Sequence, residues 1–236
     1  MKYLYLHNIM FIKLLKIILI LGINGFSTNK SICRRKAITT STALTTALSL
    51  PVKAEEQAKE PTTIEPLTLH FYGAVSDESC MQLTMALNEL DKKAKHQKVI
   101  YPNLEPYISL HIQSGGGALM PTFFVCDTIK NLDTPVFMYV DGFAASAASL
   151  MVVSGKKRFM TRNSAMLVHQ LTGATSGKFN ELKDEMTNLN FFMNKVKNIY
   201  LENTKLNSSV LDNLLSSDIW LDAETCLAYG LVDKII

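Results

Sequence analysis

The stretch that decides the fold reads Gly-Phe-Ala-Ala-Ser-Ala-Ala-Ser. It covers Gly142–Ser149 and follows the apolar run Val136–Val140. An apolar run that leads into small residues predicts a buried strand followed by a closely packed helix. Ser146 lies at the junction between the two. Taken alone, an Ala-Ser-Ala run is more often a tight helix contact than a functional site.

Two further polar residues make the serine informative. His169 closes the apolar run Met166–Val168, and Asp218 lies near the C-terminus. A serine hydroxyl becomes a good nucleophile when a base takes its proton, and that base needs a carboxylate to fix its tautomer. Singly, such a histidine is usually a buried polar group and such an aspartate is usually a cap. Together with Ser146 they predict a hydrolytic triad.

A glycine-rich turn follows another predicted strand. Ile108, Leu110 and Ile112 alternate with other residues, and Gly115–Gly117 comes shortly after them. Glycines let the backbone approach a substrate, and their N–H groups can hold a developing oxyanion, worth roughly 3 kcal/mol per donor. The alternative is a plain strand-to-helix turn. A phosphate-binding loop is disfavoured because no Lys-Ser or Lys-Thr pair follows.

In their order along the chain, these motifs resemble ClpP, the proteolytic subunit of the Clp protease. The matching segments are Gln113–Gly117, Gly142–Ser146, Leu167–Gln170, Ser217–Leu221 and Ala223–Asp233. The resemblance runs from about Leu67 to Ile236. It implies an α/β fold of the ClpP/crotonase type, with repeated β-β-α units and a projecting handle helix. The alternation of strand and helix patterns also predicts α/β with parallel strands.

The resemblance implies a role for each catalytic position. Ser146 would be the nucleophile, His169 the general base and Asp218 its orienting carboxylate. Gly117 and Ala147 would supply the N–H groups of the oxyanion hole. Ser146 would then lie at a helix N-terminus, where the helix dipole favours negative charge. The implied reaction needs neither a metal nor a cofactor.

Substrate binding is assigned by the same resemblance. Gly116 would shape the glycine turn, and Leu171 and Gly173 would bind an extended peptide that pairs with Gly173–Gly177 as an added strand. The alternative for that segment is a flexible hinge. Gly115 and Leu171 stand where the family has prolines, so we expect a freer turn and a less defined substrate register.

The pattern of apolar residues predicts the longest helix over Phe179 to about Asn203. Its apolar stripe consists of Leu182, Met186, Leu189, Met193, Val196 and Tyr200. A stripe on a projecting helix needs a partner subunit to cover it. The resemblance implies heptamer-like rings, stacked through this helix and built from this chain alone or with ClpP and ClpR paralogues.

Other elements are predicted more briefly. Strands are expected at Leu67–Tyr72, Tyr107–Gln113, Val136–Val140, Arg158–Met160, Ala165–His169 and Val232–Ile236. Helices are expected at Asp77–Lys93, with Ser76 as a cap, and at Pro121–Asn131 and Ser146–Ser154. ClpP has an axial loop and a short helix before its first strand. Little but presequence precedes Leu67–Gly73 here, which leaves a Clp ATPase partner an open question.

Charge divides the chain into a presequence and a domain. Residues 1–54 hold eight of the 24 basic residues and no acidic residue, so the remainder carries 16 basic and 21 acidic residues. The positive net charge therefore belongs to the presequence, and a nucleic-acid partner is not expected. We predict a presequence over residues 1–54, a linker over 55–66 and a peptidase domain over 67–236.

The presequence has features of a multipart targeting signal. Leu14–Leu21 is a short apolar run interrupted by Lys16, as in a signal peptide. A basic stretch rich in serine and threonine follows, then Arg34-Arg35 and a small-residue cleavage site ending at Ala54. This order resembles the bipartite presequence of a secondary plastid with a thylakoid-lumen signal. The alternatives are a single transit peptide and a simple secretory signal.

The cysteines indicate neither zinc nor a disulfide framework, because Cys80, Cys126 and Cys226 are scattered. The leading function is a serine endopeptidase acting on unfolded proteins or peptides, with or without an ATPase. A second is a non-catalytic ring subunit of the ClpR kind. A third is a hydrolase with a serine–lysine dyad, like signal peptide peptidase A. A fourth is an acyl-CoA enzyme of the crotonase class.

Overall fold

The computed structural model describes residues 64–236, which form seven strands and six helices. The strands are β1 (Thr68–Tyr72), β2 (Ile108–Ser114), β3 (Val136–Ala145), β4 (Lys157–Met160), β5 (Ala165–Leu167), β6 (Trp220–Leu221) and β7 (Lys234–Ile235). The helices are α1 (Asp77–Ile100), α2 (Leu119–Asn131), α3 (Ala147–Val153), α4 (Phe179–Asn203), α5 (Ser208–Leu215) and α6 (Ala223–Ala228). The predicted presequence and most of the predicted linker lie outside the described residues.

A mostly parallel sheet organises the domain, in the order β1-β2-β3-β4-β7. Strand β3 is the longest strand. It pairs with β2 along one side and with two strands, β4 and β5, along the other. Its residues 137–140 pair with β4, and its last three residues pair with β5. Strand β6 then pairs antiparallel with β5. This α/β architecture confirms the predicted fold class.

The core lies where the helices cover one face of the sheet. Strand β2 alternates between buried and more exposed residues, as expected for a sheet with one covered face. All seven residues of α3 are buried, and small residues such as Ala147 and Ala148 let this helix pack closely. The stretch after Ser146 is therefore a structural core segment as well as the flank of a candidate nucleophile.

Helix α1 fixes the start of β3 through a buried carboxylate. Ser76 caps the helix through the N–H of Ser79, as predicted. Further along, Asp91 accepts a hydrogen bond from the Thr134 N–H at 2.9 Å and an ion pair from Lys95 at 2.7 Å. Burial alone would raise the pKa of Asp91, but the bonds from Lys95 and Thr134 outweigh it and lower the pKa.

Helix α4 has one anchored end and one exposed end. Val196 and Tyr200 in its C-terminal half are buried. In the N-terminal half, Met186 is exposed and Phe179 is 80% exposed. The helix has the predicted bounds, but its apolar stripe is buried within this chain only toward the C-terminus.

The short helices, the cysteines and the hydropathy of the helices complete the description of the fold. The short helices α5 and α6 were not predicted, although Asn207 and Asp222 cap them through their side chains. Cys80, Cys126 and Cys226 are buried and unpaired with one another. Burial raises the pKa of the Cys126 thiol to about 11, so this thiol stays protonated at neutral pH. No helix within residues 64–236 is long and apolar enough to cross a bilayer.

Candidate active site

The sheet topology explains how three distant residues meet. Ser146 directly follows β3, His169 lies two residues after β5, and Asp218 lies two residues before β6. Because β5 runs parallel to β3, the two strands end at the same edge. Because β6 runs antiparallel to β5, it begins at that edge. The three predicted triad residues therefore emerge at one edge of the sheet.

Ser146 has an unusual backbone. Its φ of 55° and ψ of −125° make it the non-glycine residue with positive φ among the described residues. Its N–H is held by the Leu167 carbonyl at 2.9 Å, which ties the turn to β5. A strained residue between a strand and a helix presents its side chain at the end of the sheet, as in hydrolases with a nucleophile elbow. This conformation supports a functional role for Ser146.

His169 and Asp218 form a hydrogen bond of 2.9 Å between Nδ1 and Oδ1. The bond leaves the Nε2 atom of His169 free to face a nucleophile. The side chain of His169 is 22% exposed, whereas that of Asp218 is 78% exposed. No hydrogen bond joins Ser146 to His169 in the part of the chain that the structure describes. In hydrolases without substrate this contact is often long and tightens when substrate binds.

The glycine turn packs against Ser146. Gly116 has a φ of +88°, and a Cβ atom added there would lie 2.7 Å from the Ala145 carbonyl oxygen and 2.8 Å from the Cβ of Ser146. Gly117 has a φ of +149°, and an added Cβ would overlap the Val75 carbonyl. Both positions therefore require glycine, for the close approach as well as for the backbone angles.

Two backbone N–H groups belong to residues that line the same cavity as Ser146. The bridge between Val75 and Gly117 uses the N–H groups of Val75 and Ala118, so it leaves the Gly117 N–H outside the pairing. Ala147 opens α3, and the first N–H groups of a helix have no partner within it. Gly117, Ala147 and Ser146 line the same cavity. This arrangement has the components of an oxyanion hole.

The cavity has a volume of about 600 Å³ and joins the predicted substrate-binding residues to the triad. Ser146, His169, Leu171 and Gly173 all line it. Gly116 does not line it and instead supports Ser146 from behind. Residues 173–177, predicted to pair with a peptide, belong to no strand in the described structure. The far wall is formed mainly by apolar residues, Met120, Leu150, Leu189, Phe192 and Val196.

Buried hydroxyl groups, not predicted from the sequence, support the nucleophile turn. Ser149 Oγ donates a hydrogen bond of 2.6 Å to the Ser146 carbonyl. The same oxygen lies 2.6 Å from the hydroxyl of Tyr200, which must be the donor because the Ser149 proton is already used. Burial raises the pKa of Tyr200, so its hydroxyl stays protonated. Tyr200 was predicted only as part of an apolar stripe.

Comparison with known proteins assigns the family. A family model described as Clp protease matches residues 66–236, which is more than half of the chain. The chain belongs to the Clp protease family. The match covers the whole sheet and every predicted site residue, so the site described above lies within the Clp protease region.

Two relatives show how far the similarity extends. The ATP-dependent Clp protease proteolytic subunit 1 of Protochlamydia amoebophila is 33% identical over 129 residues, covering 53% of this chain and 63% of the relative. The protein of the same name from Rhodopirellula baltica is 30% identical over 131 residues, covering 55% of this chain and 58% of the relative. The chain therefore spans about 60% of the length of these Clp protease relatives.

Proposed function

We propose that this chain is a serine endopeptidase that hydrolyses peptide bonds in unfolded proteins or peptides, as a Clp-type proteolytic subunit. One observation carries the proposal. Ser146, held with a positive φ, opens into the same cavity as His169, and His169 is hydrogen-bonded to Asp218. This set of groups is what acyl transfer by a serine nucleophile needs.

In the proposed mechanism, the Ser146 Oγ attacks the carbonyl carbon of the peptide while His169 Nε2 takes the hydroxyl proton. The oxyanion accepts hydrogen bonds from the Gly117 and Ala147 N–H groups. The C–N bond then breaks, and His169 gives its proton to the leaving amine. A water molecule, deprotonated by His169, hydrolyses the resulting acyl-serine. Asp218 holds the imidazole in the required tautomer throughout.

The cavity supports a preference for apolar substrate side chains. Its wall carries Leu150, Leu189 and Phe192, which would cover a leucine- or methionine-sized group. Among the described residues that line the cavity, Glu185 is the one with an acidic side chain. We expect short peptides with an apolar side chain before the cleaved bond to be the best substrates.

The assembly we propose is an oligomeric ring, formed by this chain alone or with ClpP or ClpR paralogues. The exposed N-terminal half of α4, with Phe179, Leu182 and Met186, supports it because such a surface is normally covered by a partner. The names of both relatives refer to ATP-dependent Clp protease. A Clp ATPase is therefore a candidate partner, and peptide cleavage without an ATPase is the alternative.

Two other functions compete with a serine endopeptidase. A hydrolase with a serine–lysine dyad is disfavoured, because none of the described residues lining the cavity is a lysine. A non-catalytic subunit of the ClpR kind is the second candidate, and the high exposure of Asp218 favours it.

We further propose a plastid location, with the thylakoid lumen as the end point, on the charge and motif order of residues 1–54.

The test is labelling of the full chain with a fluorophosphonate probe, next to the Ser146→Ala variant, with the size of the assembly measured on the same samples. We expect wild-type protein in a ring-sized assembly to be labelled and the variant not. Equal labelling of both proteins would reject Ser146 as the nucleophile. A ring that is not labelled would support the non-catalytic subunit, and an active monomer would reject the ring.

A further inference from the structure

A second cluster of chemically reactive side chains lies on the exposed face of the sheet. His70 on β1 and His111 on β2 are cross-strand partners in register, and Asp141 lies on β3. One ligand atom from each of these residues can be chosen so that all three lie within 4.8 Å of one another. Three neighbouring strands thus bring two imidazoles and one carboxylate together.

The contacts within this cluster already orient the carboxylate. His111 Nδ1 lies 2.7 Å from Asp141 Oδ2, and the Tyr72 hydroxyl donates to the same oxygen at 2.7 Å. His70 Nδ1 lies 3.1 Å from the Tyr72 hydroxyl. The rings of His70 and His111 are 4.8 Å apart between centroids, and His111 stacks on Tyr139. The His111 ring is therefore held from two sides, while His70 on the edge strand is exposed.

The cluster is accessible to ions from solvent. The side chains of His111 and Asp141 are 25% and 26% exposed. An ion pair between Asp141 and His111 involves only one imidazole. The second imidazole, from His70, has no carboxylate partner within this cluster. Its position beside the pair is explained if the two rings share one cation.

We propose that His70, His111 and Asp141 bind a divalent transition-metal ion of the zinc class. Imidazole and carboxylate are ligands of zinc, whereas magnesium and calcium prefer oxygen ligands only. A tetrahedral zinc ion lies about 2 Å from each ligand atom, which places the ligand atoms about 3.4 Å apart. His111 Nδ1 and Asp141 Oδ2, now 2.7 Å apart, would separate slightly, and rotation of the exposed His70 side chain would bring its ring nitrogen to the required distance. A water molecule would complete the coordination.

Tyr72 has a supporting part in this site. Its hydroxyl donates to the Asp141 carboxylate and would hold that ligand in place, as hydrogen-bond donors around metal ligands generally do. Bound metal would connect β1, β2 and β3 across the sheet. Because β1 lies at the edge of the sheet, we expect metal binding to stabilise the folded chain.

The experiment uses the full chain, produced without a polyhistidine tag and freed of metal with a chelator. Zinc is titrated in competition with a chromogenic chelator, and cobalt(II) is titrated while its visible absorption is recorded. We expect one zinc ion per chain at this site, the absorption of four-coordinate cobalt, and a melting temperature that rises with zinc. An excess of magnesium is expected to leave zinc bound.

Variants at each of the five histidines locate the ion. His70→Asn, His111→Asn and Asp141→Asn are each expected to weaken zinc binding by about tenfold or more. The matched controls His96→Asn, on the exposed face of α1, and His7→Asn are expected to bind zinc as wild type does. His169→Asn, which removes the imidazole of the candidate active site, is also expected to keep zinc bound.

Three results would overturn the proposal. They are no zinc binding by the wild-type chain, equal binding by wild type and the His70→Asn/His111→Asn double variant, and loss of binding in His169→Asn alone. Circular dichroism checks that each variant is folded. If His111→Asn does not fold, His70→Asn decides the matter, because that side chain is exposed on the edge strand and its loss is expected to leave the fold intact.

Discussion

The two halves of the candidate active site differ in how this chain supports them. The nucleophile half consists of Ser146, the glycine turn and α3, and it is anchored in the core by Gly116 and by all seven residues of α3, which are buried. The base half consists of His169 and Asp218, and its carboxylate is largely exposed. The first half is fixed by buried contacts, whereas the second rests on one hydrogen bond open to water.

The difference indicates which part of the candidate site a single chain can hold in place. A buried turn keeps its geometry because its neighbours cannot move without opening cavities. An exposed hydrogen bond competes with water and contributes little unless something covers it. We therefore expect the nucleophile half to be formed in an isolated chain, and the base half to become fully ordered only when a neighbour or a substrate covers it.

The largest expected effect comes from the base half. Asp218→Asn is expected to lower kcat by about 10⁴-fold, because the amide no longer selects the reactive tautomer of His169. The measurement is peptide hydrolysis at neutral pH. Asp212→Asn on α5, which removes a surface ion pair with Lys197, is the control and is expected to keep its activity. A loss in Asp218→Asn below about tenfold would mean that this carboxylate does not orient the base.

The second largest effect is expected in the nucleophile half. Gly116→Ala is expected to lower kcat/KM by about 100-fold, because the added methyl group would displace Ser146 and the Ala145 carbonyl. Gly115→Ala is the matched control, since nothing lies within 4 Å of a Cβ atom added there. Hydrolysis by the folded variants is compared. Equal activity of the two would show that the glycine turn does not set the position of Ser146.

The scaffold of the nucleophile half is expected to weaken in acid through Asp91. Its pKa is lowered in the folded chain, so its contribution to stability is present above the unfolded pKa of about 3.9 and is lost as pH falls through the folded value. Asp91→Asn is expected to lower the free energy of unfolding by about 1–3 kcal/mol at pH 7. The difference from wild type should shrink near pH 3.

Urea unfolding at pH 7, 5 and 3 measures this dependence. Glu89→Gln on the same helix removes an exposed ion pair with Lys92, and we expect it to change stability by less than about 0.5 kcal/mol. A gap between wild type and Asp91→Asn that stays constant from pH 7 to pH 3 would contradict the assignment to Asp91.

The smallest effect is expected from Tyr200, which supports the turn at Ser146 through Ser149. Tyr200→Phe removes the donor to Ser149 and is expected to lower the free energy of unfolding by about 1 kcal/mol. Activity should fall only a few-fold, because Ser149 still donates to the Ser146 carbonyl. Thermal unfolding and peptide hydrolysis are the measurements, with Tyr107→Phe on the surface as control. An activity loss above about 100-fold would mean that Tyr200 acts on the reaction more directly than through Ser149.

The sequence predicted an element best where the apolar periodicity of that element lies within one continuous segment. Helix α4 has its predicted bounds because its apolar periodicity lies within one continuous stretch. Helix α1 was predicted to end at Lys93 but continues to Ile100, since Ala94 and Gln97 are also buried. It ends just before Tyr101, the residue that precedes Pro102. Helices α5 and α6 were missed because one or two turns give too little periodicity.

The site was predictable in its residues and less so in its surroundings. Ser146, His169 and Asp218 could be named from the motifs, and the exposure of Asp218 could not, because it depends on packing around β6. The cluster of His70, His111 and Asp141 was missed for a related reason. Its members lie about 30 residues or more apart, and only the register of β1, β2 and β3 brings them to one place.

Asp141 lies on strand β3, and Ser146 comes five residues later, directly after the strand ends. The pairing of β3 with β2 already shifts register in this segment, and a further inserted residue would change the distance and orientation of the carboxylate relative to the nucleophile turn. The number of residues between Asp141 and Ser146 is therefore expected to be constrained, because changing it would move one of them relative to the other. In related chains, the length of the segment between them should vary less than the loops at either end of β3.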